Sequence, residues 1–171
     1  SHLAKLSSHV AGRIEEMQVN ATGQTVTRGN ALYSIYSPFL VTAQEEHLLA
    51  LSNRQKLKPS PYAEIQLNAQ QLVEASRKRL SFAGLTEEQI HQIELTGLVK
   101  DRVSILAPLT GTVITKHVTT GSYVQQGDPV YTVADLSTLW FVAQVPEHEI
   151  SWIRLGQEVE ATVISSPGEV F

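Results

Sequence analysis

The sequence contains one internal repeat whose two copies lie far apart in the chain. The first copy spans residues 12–35 and the second spans residues 111–133. Four pairs of positions match at one constant offset of 98 residues: Gly23 with Gly121, Gly29 with Gly127, Tyr33 with Tyr131, and Ile35 with Val133. The repeat therefore predicts one unit built from two similar halves, with an unrelated stretch inserted between them.

Each copy consists of short β-branched stretches separated by glycines. The alternation of apolar and polar residues toward Ile35 and Val133 is typical of strands, so each copy is predicted to be half of a small all-β unit. Turns with positive φ favour glycine, and the sequence has no GxGxxG or Walker pattern that would bind phosphate. We interpret six glycines as structural turn residues: Gly12, Gly23, Gly29, Gly111, Gly121 and Gly127.

Between the two copies the pattern changes to that of helices. Ser37 followed by Pro38 is a helix start signal, and residues 39–57 then contain neither glycine nor proline. Two prolines in residues 58–61 end this helix, Ser60 followed by Pro61 repeats the start signal, and residues 62–82 are again free of glycine and proline. A short turn between two such helices, each about 30 Å long, predicts an antiparallel hairpin.

The predicted seam between these two helices is thin and partly polar. On the second helix, the positions at helical spacing are Tyr62, Ile65, Ala69, Leu72, Ser76 and Leu80; on the first, they are Val41, Gln44, Leu48, Leu51 and Gln55. Such a seam needs further support. A third, short helix is predicted after Leu85, where Thr86-Glu87-Glu88-Gln89 forms a capping-box signature and Ile90 and Ile93 form the apolar side.

The last segment of the chain has a different pattern. Residues 139–145 and 157–164 are predicted strands, with one or two helical turns at 146–153. Two strands and a short helix cannot enclose a core alone, so we expect this segment to be part of a larger β-structure. Because the first residue is Ser1 rather than Met, we expect the chain to be a fragment of a longer protein.

Composition excludes several kinds of chemistry. The 171 residues include no cysteine, which removes disulfides, Cys-ligated zinc, iron–sulfur clusters and thiol nucleophiles. The net charge of −4 argues against nucleic-acid binding, and no apolar run approaches the roughly 20 residues that span a bilayer. The six histidines form neither an HExxH motif nor an i, i+4 pair. We therefore expect no catalytic site, no metal site and no cofactor.

A series of short motifs resembles the periplasmic adaptors of bacterial tripartite efflux pumps, which are HlyD-like membrane fusion proteins. The motifs are Gly23-Gln24-x-Val26-x-x-Gly29, Ala107-Pro108-x-x-Gly111-x-Val113, Val124-Gln125-x-Gly127-Asp128, Ala134-Asp135-Leu136-Ser137-Thr138-Leu139-Trp140 and Val145-Pro146-Glu147. In this order they are most similar to the CusB-like heavy-metal branch, which exports copper and silver. The resemblance covers nearly the whole chain.

The resemblance implies an α+β, elongated, multidomain fold. A split lipoyl/biotinyl-like β-sandwich is expected from residues 9–37 and 105–135. An inserted antiparallel α-helical hairpin with a short third helix is expected from residues 38–104, and a partial β-barrel from residues 136–171. Such a protein acts through contact surfaces and is not an enzyme.

The resemblance also implies what the protein contacts. Adaptors of this family work in the periplasm of the Gram-negative envelope, where they link an inner-membrane resistance-nodulation-division (RND) transporter to a TolC-like outer-membrane channel. Several adaptor subunits assemble as a homo-oligomer around the channel. The resemblance allows the parent protein either to have an inner-membrane anchor or to lack one. Because the hairpin tip meets the channel, the expected partner-binding residues are Arg54, Gln55, Lys56, Leu57, Lys58 and Ser60.

The sequence leaves alternatives open for both the cargo and the function. CusB-like adaptors capture metal with methionines near the N-terminus, whereas this chain has only Met17, so heavy-metal cations and drugs are both possible cargo. A lipoyl or biotin carrier shares the split repeat, but carriers present a lysine at the turn joining the halves, and Lys116 lies inside the second copy. A stand-alone periplasmic metal-binding protein would draw on His2 and His9.

Overall fold

The computed structural model describes residues 3–135, 142 and 144–157. The chain divides into two compact units, residues 1–139 and residues 140–171. In the second unit, a 3-10 helix spans Glu147–Trp152, where one or two helical turns are predicted. The strands predicted at 139–145 and 157–164 lie largely outside the described residues, and so does most of the predicted partial barrel.

The described part of the first unit contains two four-stranded sheets. Their strands are β1 (Leu3–Ser7), β2 (Gly12–Met17), β3 (Thr25–Val26), β4 (Ala31–Tyr36), β5 (Arg102–Leu106), β6 (Gly111–Lys116), β7 (Tyr123–Val124) and β8 (Pro129–Ala134). The strand order is β1-β8-β6-β3 in the first sheet and β5-β4-β2-β7 in the second, and every pairing is antiparallel. The counterparts in the two halves are β1 and β5, β2 and β6, β3 and β7, and β4 and β8. Exchanging each strand for its counterpart converts the order of one sheet into that of the other.

Each sheet therefore takes two strands from each half of the repeat. β1 is the counterpart of β5, and it pairs with β8 from Leu3 opposite Ala134 onward. The predicted sandwich limits at residues 9 and 105 leave out β1 and cut β5. Both are edge strands, and the exposed positions of an edge strand place few demands on sequence, so the repeat is not visible there.

The turns that carry the repeated glycines connect the two halves reciprocally. The N–H of Gly23 donates to the carbonyl of Val113 at 2.7 Å, and the N–H of Gly121 donates to that of Ile14 at 2.8 Å. Gly29 and Gly127 form the equivalent bonds to Ala107 and Ser8, also at 2.8 Å. All four glycines have φ between 86° and 92°, a conformation that other L-residues rarely adopt.

The turn interpretation is wrong for Gly12 and Gly111. Both begin strands, β2 and β6, and neither has positive φ. A Cβ atom at Gly111 would lie 2.7 Å from the carbonyl oxygen of Ala134, and one at Gly12 would overlap that of Tyr36. Glycine is needed at these positions because the backbone of the neighbouring strand passes too close for a side chain.

The repeated apolar positions form the centre of the sandwich core. Ile35 and Val133 are completely buried, as is Tyr131. The Tyr131 hydroxyl donates to the carbonyl of Val19 at 2.7 Å, and its ring centroid lies 6.3 Å from that of Tyr33. Burial raises the pKa of both phenols, so they stay neutral at physiological pH.

Three helices are inserted between β4 and β5: α1 (Pro38–Leu57), α2 (Ala63–Phe82) and α3 (Glu87–Thr96). Because β4 and β5 pair directly, with Tyr36 opposite Arg102, the insertion leaves and re-enters the sandwich on adjacent strands. The capping box of α3 is confirmed, since the Thr86 hydroxyl accepts from the N–H of Gln89 and the Gln89 side chain accepts from the N–H of Thr86.

The starts of the other two helices differ in detail from their sequence signals. Ser37 occupies the N-cap position of α1, but its hydroxyl makes no capping bond and is buried without a hydrogen-bond partner. The N-cap residue of α2 is Tyr62, and the Ser60 hydroxyl instead accepts from the N–H of Tyr62 at 3.3 Å. Each predicted start thus lies within three residues of the observed one.

Helices α1 and α2 pack along each other in opposite directions. Glu46 contacts Arg79, His47 contacts Ser76, and Arg54 contacts Gln70, so the numbering rises on one helix as it falls on the other. The predicted seam is only partly right. Of the predicted residues, Gln44, Ala69 and Leu80 are buried. The full set of buried residues observed on these helices is Leu40, Ala43, Gln44, His47 and Ala50 on α1, and Ala69, Val73 and Leu80 on α2. The α1 stripe is shifted because this helix packs against α3 as well as α2.

Among the described residues, no helix combines the length and the apolar character that crossing a membrane would require.

We predict that Gly111→Ala destabilises the sandwich more than Gly121→Ala. The alanine methyl group introduced at position 111 must displace the β8 backbone, which lowers the free energy of unfolding by about 2–3 kcal/mol. At position 121 the methyl group has open space, and the positive φ alone lowers that free energy by about 1 kcal/mol. Urea unfolding of both variants measures the difference. A Gly111→Ala variant as stable as Gly121→Ala would contradict the close approach of β6 and β8.

Candidate interaction site

The turn between α1 and α2, with the helix ends beside it, forms a hydrogen-bonded surface that we call the tip (residues 54–67). The N–H of Ser60 donates to the carbonyl of Leu57 at 3.0 Å. The Gln66 amide donates to the carbonyls of Ser60 and Lys58, at 2.7 and 3.3 Å, and the Arg54 guanidinium donates to Gln70 at 3.1 Å. These bonds satisfy backbone groups that a helix end leaves open, so the tip has a defined shape.

All the residues predicted to bind a partner lie on the tip. Gln55, Lys56, Leu57 and Lys58 are exposed, while Arg54 and Ser60 are half-buried by the bonds just described. The sequence places three cationic side chains, those of Arg54, Lys56 and Lys58, against one carboxylate, that of Glu64. The tip therefore carries positive charge although the whole chain is negative.

The tip also has apolar residues that the sequence assigned elsewhere. Tyr62 is 67% exposed and Leu67 is 57% exposed, and Ile65 is exposed to a smaller extent. Tyr62 and Ile65 belong to the predicted seam, but α1 ends at Leu57, so the first turn of α2 has no helix opposite it. Since Arg54 lies opposite Gln70, the start of α2 extends past the end of α1, and this register is set only in the folded chain.

At the other end of the helices, Gln44 ties α1 to the chain that returns to the sandwich. Its side chain is completely buried, and its amide donates to the carbonyl of Lys100 at 3.0 Å while its oxygen accepts from the N–H of Lys100 at 3.0 Å. The same amide donates to the carbonyl of Leu40. The buried Gln44 side chain thereby has its hydrogen bonds satisfied, and it holds a backbone segment without regular structure against α1.

A second buried polar side chain, His47, joins the three helices one turn further along α1. Its Nδ1 lies 2.7 Å from the Ser76 hydroxyl on α2, and its Nε2 lies 2.8 Å from the Glu94 carboxylate on α3. Glu94 also pairs with Arg77, which bonds to Glu87 at 2.8 Å. We call these five side chains the helix joint.

The helix joint shifts the titration of its charged members. Partial burial raises the pKa of the Glu94 carboxyl, but hydrogen bonds from His47 and Arg77 and their positive charge outweigh it and hold that pKa below its ordinary value. Hydrogen bonds to Glu87 and Glu94 raise the pKa of Arg77. The ionised forms of Glu94 and Arg77 are therefore the ones that stabilise the joint.

Sequence reasoning missed the helix joint. In the sequence, Arg77-Lys78-Arg79 is a run of three cations with no evident partner, but Arg77 pairs with two carboxylates, and Arg79 pairs with Glu46 and lies 4.9 Å over the Phe39 ring. The available signal is the spacing of polar residues within an apolar stripe: Gln44 and His47 continue the stripe of Leu40.

The sequence has one thioether, that of Met17. Met17 is buried in the sandwich core. Within residues 3–135, 142 and 144–157, no three histidine, aspartate or glutamate side chains are grouped so that they would hold a metal ion.

Comparison with known proteins identifies the family. Residues 2–135 match the CzcB-like, barrel-sandwich hybrid domain, and residues 138–171 match the CusB-like, beta-barrel domain. The chain belongs to the CzcB-like barrel-sandwich hybrid family. The resemblance to membrane fusion adaptors of the heavy-metal branch is confirmed by this match.

Curated relatives of this family include heavy-metal resistance proteins. The chain is 27% identical to "Cobalt-zinc-cadmium resistance protein CzcB" of Cupriavidus metallidurans over 95% of its length, and 24% identical to "Putative membrane fusion protein SilB" of Salmonella typhimurium over 94%. It is 25% identical to "Cation efflux system protein CusB" of Escherichia coli over 88%. The chain spans 33–34% of the length of these relatives.

Two solved structures share the fold of this barrel-sandwich hybrid protein. The periplasmic adaptor protein EmrA matches with a TM-score of 0.57 at 14% identity, over 100% of this chain and 83% of EmrA. A MacA-MexA chimeric protein containing the Pseudomonas aeruginosa MexA alpha-hairpin domain matches with a TM-score of 0.53 at 22% identity, over 99% and 59%.

We predict that Gln44→Leu lowers the free energy of unfolding by about 1–3 kcal/mol, because it removes both hydrogen bonds between the buried Gln44 side chain and the backbone of Lys100. Gln55→Leu is the matched control, since Gln55 is exposed on the same helix and its replacement should change stability by less than about 0.5 kcal/mol. Urea denaturation compares the two. Equal stabilities would show that Gln44 does not hold the return segment.

A second prediction concerns acid. The lowered pKa of Glu94 means that its ionised form stabilises the fold above its ordinary value of 4.5, and that this contribution disappears as the pH falls through the folded-state value. The free energy of unfolding of wild type should exceed that of Glu94→Gln by about 1 kcal/mol at pH 7, and this difference should shrink progressively as the pH falls below 4.5. Glu88→Gln, exposed on the same helix, controls for net charge. A wild-type advantage that is unchanged in acid would contradict the assignment.

Proposed function

We propose that this chain is the barrel-sandwich and helical part of a periplasmic adaptor that links an inner-membrane RND efflux transporter to a TolC-like outer-membrane channel. The observation that carries the proposal is the family match over residues 2–135, taken together with relatives that are named for cation efflux and metal resistance. Function on this view depends on where contact surfaces are placed, and no bond chemistry is required.

The helix pair suits the role of a spacer. Twenty residues in each of α1 and α2 give about 30 Å of length at 1.5 Å per residue. One end is tied to the sandwich through paired strands β4 and β5, through Gln44, and through α3, whose Gln89 side chain donates to the carbonyl of Ser104 in β5. We infer that this anchored pair is the antiparallel hairpin of the adaptor and that its free end reaches the channel.

The tip supplies the contact surface in this proposal. Positive charge from Arg54, Lys56 and Lys58 lies beside exposed Tyr62 and Leu67, a combination that fits an acidic partner surface with an apolar centre. Rim charges mainly govern the rate and the salt dependence of association, while aromatic and aliphatic side chains supply most of the affinity. We propose that several copies of the adaptor present such tips to one channel.

The proposed cargo is a heavy-metal cation. Support comes from the names of CzcB, SilB and CusB, which span both a cobalt–zinc–cadmium protein and a cation efflux protein, so copper or silver is one option within this class. Drug efflux is the second candidate, because the resemblance of the sequence to adaptors of tripartite efflux pumps leaves the cargo open.

We predict that the triple reversal Arg54→Glu, Lys56→Glu and Lys58→Glu in the full-length protein abolishes efflux-dependent resistance without loss of fold. Minimal inhibitory concentrations of cobalt, zinc, cadmium, copper and silver salts and of drugs are measured in cells, with circular dichroism of the purified variant as the fold check. Three exposed cations away from the tip, Lys5, Arg28 and Lys78, are reversed as the control.

The expected result is a loss of resistance to metal salts with the tip variant and wild-type resistance with the control. Wild-type resistance in the tip variant would exclude tip electrostatics from docking. Drug sensitivity without metal sensitivity would favour the second candidate for the cargo.

A further inference from the structure

The helix pair contains two half-buried arginines, Arg54 and Arg77, and their surroundings differ. Arg77 bonds to the carboxylates of Glu87 and Glu94. The Arg54 guanidinium bonds instead to a neutral group, the side-chain oxygen of Gln70, at 3.1 Å. Among the residues that the structure describes, no carboxylate forms an ion pair with Arg54. A partly buried charge is usually paired, so Arg54 has a place for a counter-ion that the fold does not supply.

Gln70 fixes the orientation of the Arg54 side chain. The side-chain N–H of Gln70 donates to the Glu74 carboxylate at 3.1 Å, so its oxygen is turned toward Arg54 and accepts from Nη1. A guanidinium carries N–H groups on all of its nitrogens, in one plane. No acceptor for Nε or Nη2 of Arg54 is found within the described part of the chain. This planar edge is therefore oriented by the protein and available to an external acceptor.

Arg54 lines a cavity of about 530 Å³ between the end of α1 and the first turns of α2. We call this cavity the arginine socket, and it is lined by Arg54, Lys58, Ala63, Gln66, Leu67 and Gln70. Two of these residues are cationic and none is acidic. Leu67 and Ala63 supply an apolar wall. Charge and shape together make the socket complementary to a small anionic group on an apolar stem.

The arginine socket is held in shape by bonds within the chain. The Gln66 amide donates to the carbonyls of Ser60 and Lys58, at 2.7 and 3.3 Å, and thereby ties the turn to α2. Arg54 is tied to the same helix through Gln70. A site that is ordered before its partner arrives loses less conformational entropy on binding, so the bonds made there contribute more to affinity.

We propose that the arginine socket binds one carboxylate of the partner protein, from an aspartate or glutamate side chain, as a bidentate pair with Arg54. The inference rests on the proposed docking role of the tip. Guanidinium and carboxylate groups are planar and match through parallel N–H···O bonds, whereas an ammonium group binds as a point charge. Lys58 strengthens the attraction, and Leu67 contacts the apolar stem of the bound side chain. Arg54 thus determines the register of docking, while Lys56, outside the socket, affects mainly its rate.

The direct test is ¹⁵N NMR of the arginine side chains in the 171-residue chain during titration with the peptide acetyl-Leu-Glu-Leu-amide. The Arg54 Nε–H signal should shift and saturate, and that of Arg77, which is already paired, should not. Acetyl-Leu-Gln-Leu-amide has nearly the same shape without the charge, and inorganic phosphate tests for a different anion. The proposal is overturned if Arg54 does not respond to the glutamate peptide, responds equally to the glutamine peptide, or responds more strongly to phosphate at equal ionic strength.

Two substitutions test the pairing geometry. Arg54→Lys keeps the charge but loses the planar fork, so affinity for the glutamate peptide should fall at least about tenfold. Gln70→Glu supplies a carboxylate to Arg54 from inside the protein and should abolish peptide binding without unfolding the chain. The matched controls are Arg13→Lys on β2 and Gln71→Glu, which adds the same charge at the exposed neighbouring position. Wild-type affinity in Arg54→Lys or in Gln70→Glu would overturn the proposal.

Resistance in cells separates this inference from the proposed function. In the full-length protein, Arg54→Lys and Gln70→Glu should lower efflux-dependent resistance, and the two controls should keep it. Wild-type resistance in Arg54→Lys, beside a sensitive triple reversal of the tip, would overturn the role of Arg54 in docking while leaving the tip as the contact surface. Wild-type resistance in the triple reversal as well would contradict the proposed function, and peptide binding at Arg54 would then still establish the carboxylate site.

Discussion

The reciprocal hydrogen bonding between the two halves of the repeat determines the rest of the architecture. Gly23 donates to Val113 and Gly121 donates to Ile14, so each half supplies the turn that completes the other. Since each sheet contains two strands from each half, neither half can bury its apolar face alone. The chain must therefore complete β4, leave the sandwich, and return as β5 beside it, which places both ends of the helical insertion at one edge.

That constraint explains why the base of the helices is polar and buried. An insertion that leaves and re-enters on adjacent strands brings the segment around Lys100 beside α1. The completely buried Gln44 side chain bonds to the Lys100 backbone there, and His47, also completely buried, joins α3 to the pair one turn further on. Each unpaired group at this depth would cost about 1–3 kcal/mol, so satisfied polar contacts are a condition for the insertion to be stably placed.

Much of this arrangement can be predicted from sequence, and the failures have a common origin. The matched residues Tyr33, Tyr131, Ile35 and Val133 are core residues, and the breaker-free stretches become α1 and α2, because glycine, proline and apolar periodicity act locally. The exchange of strands between sheets, the close approach at Gly111 and the joint at His47 depend on segments that meet only in the folded chain. A polar residue in a helix stripe does not reveal its distant partner.

The central claim is that an anchored helix pair carries the tip to an outer-membrane partner. Its most direct measurement is site-specific photocrosslinking in cells, with a photoreactive amino acid at position 56 on the tip or at position 5 in β1 of the full-length protein. The account predicts that position 56 forms a crosslink to an outer-membrane protein and that position 5 does not. Crosslinks to an outer-membrane protein from position 5 alone, or none from position 56 in cells with active efflux, would contradict it.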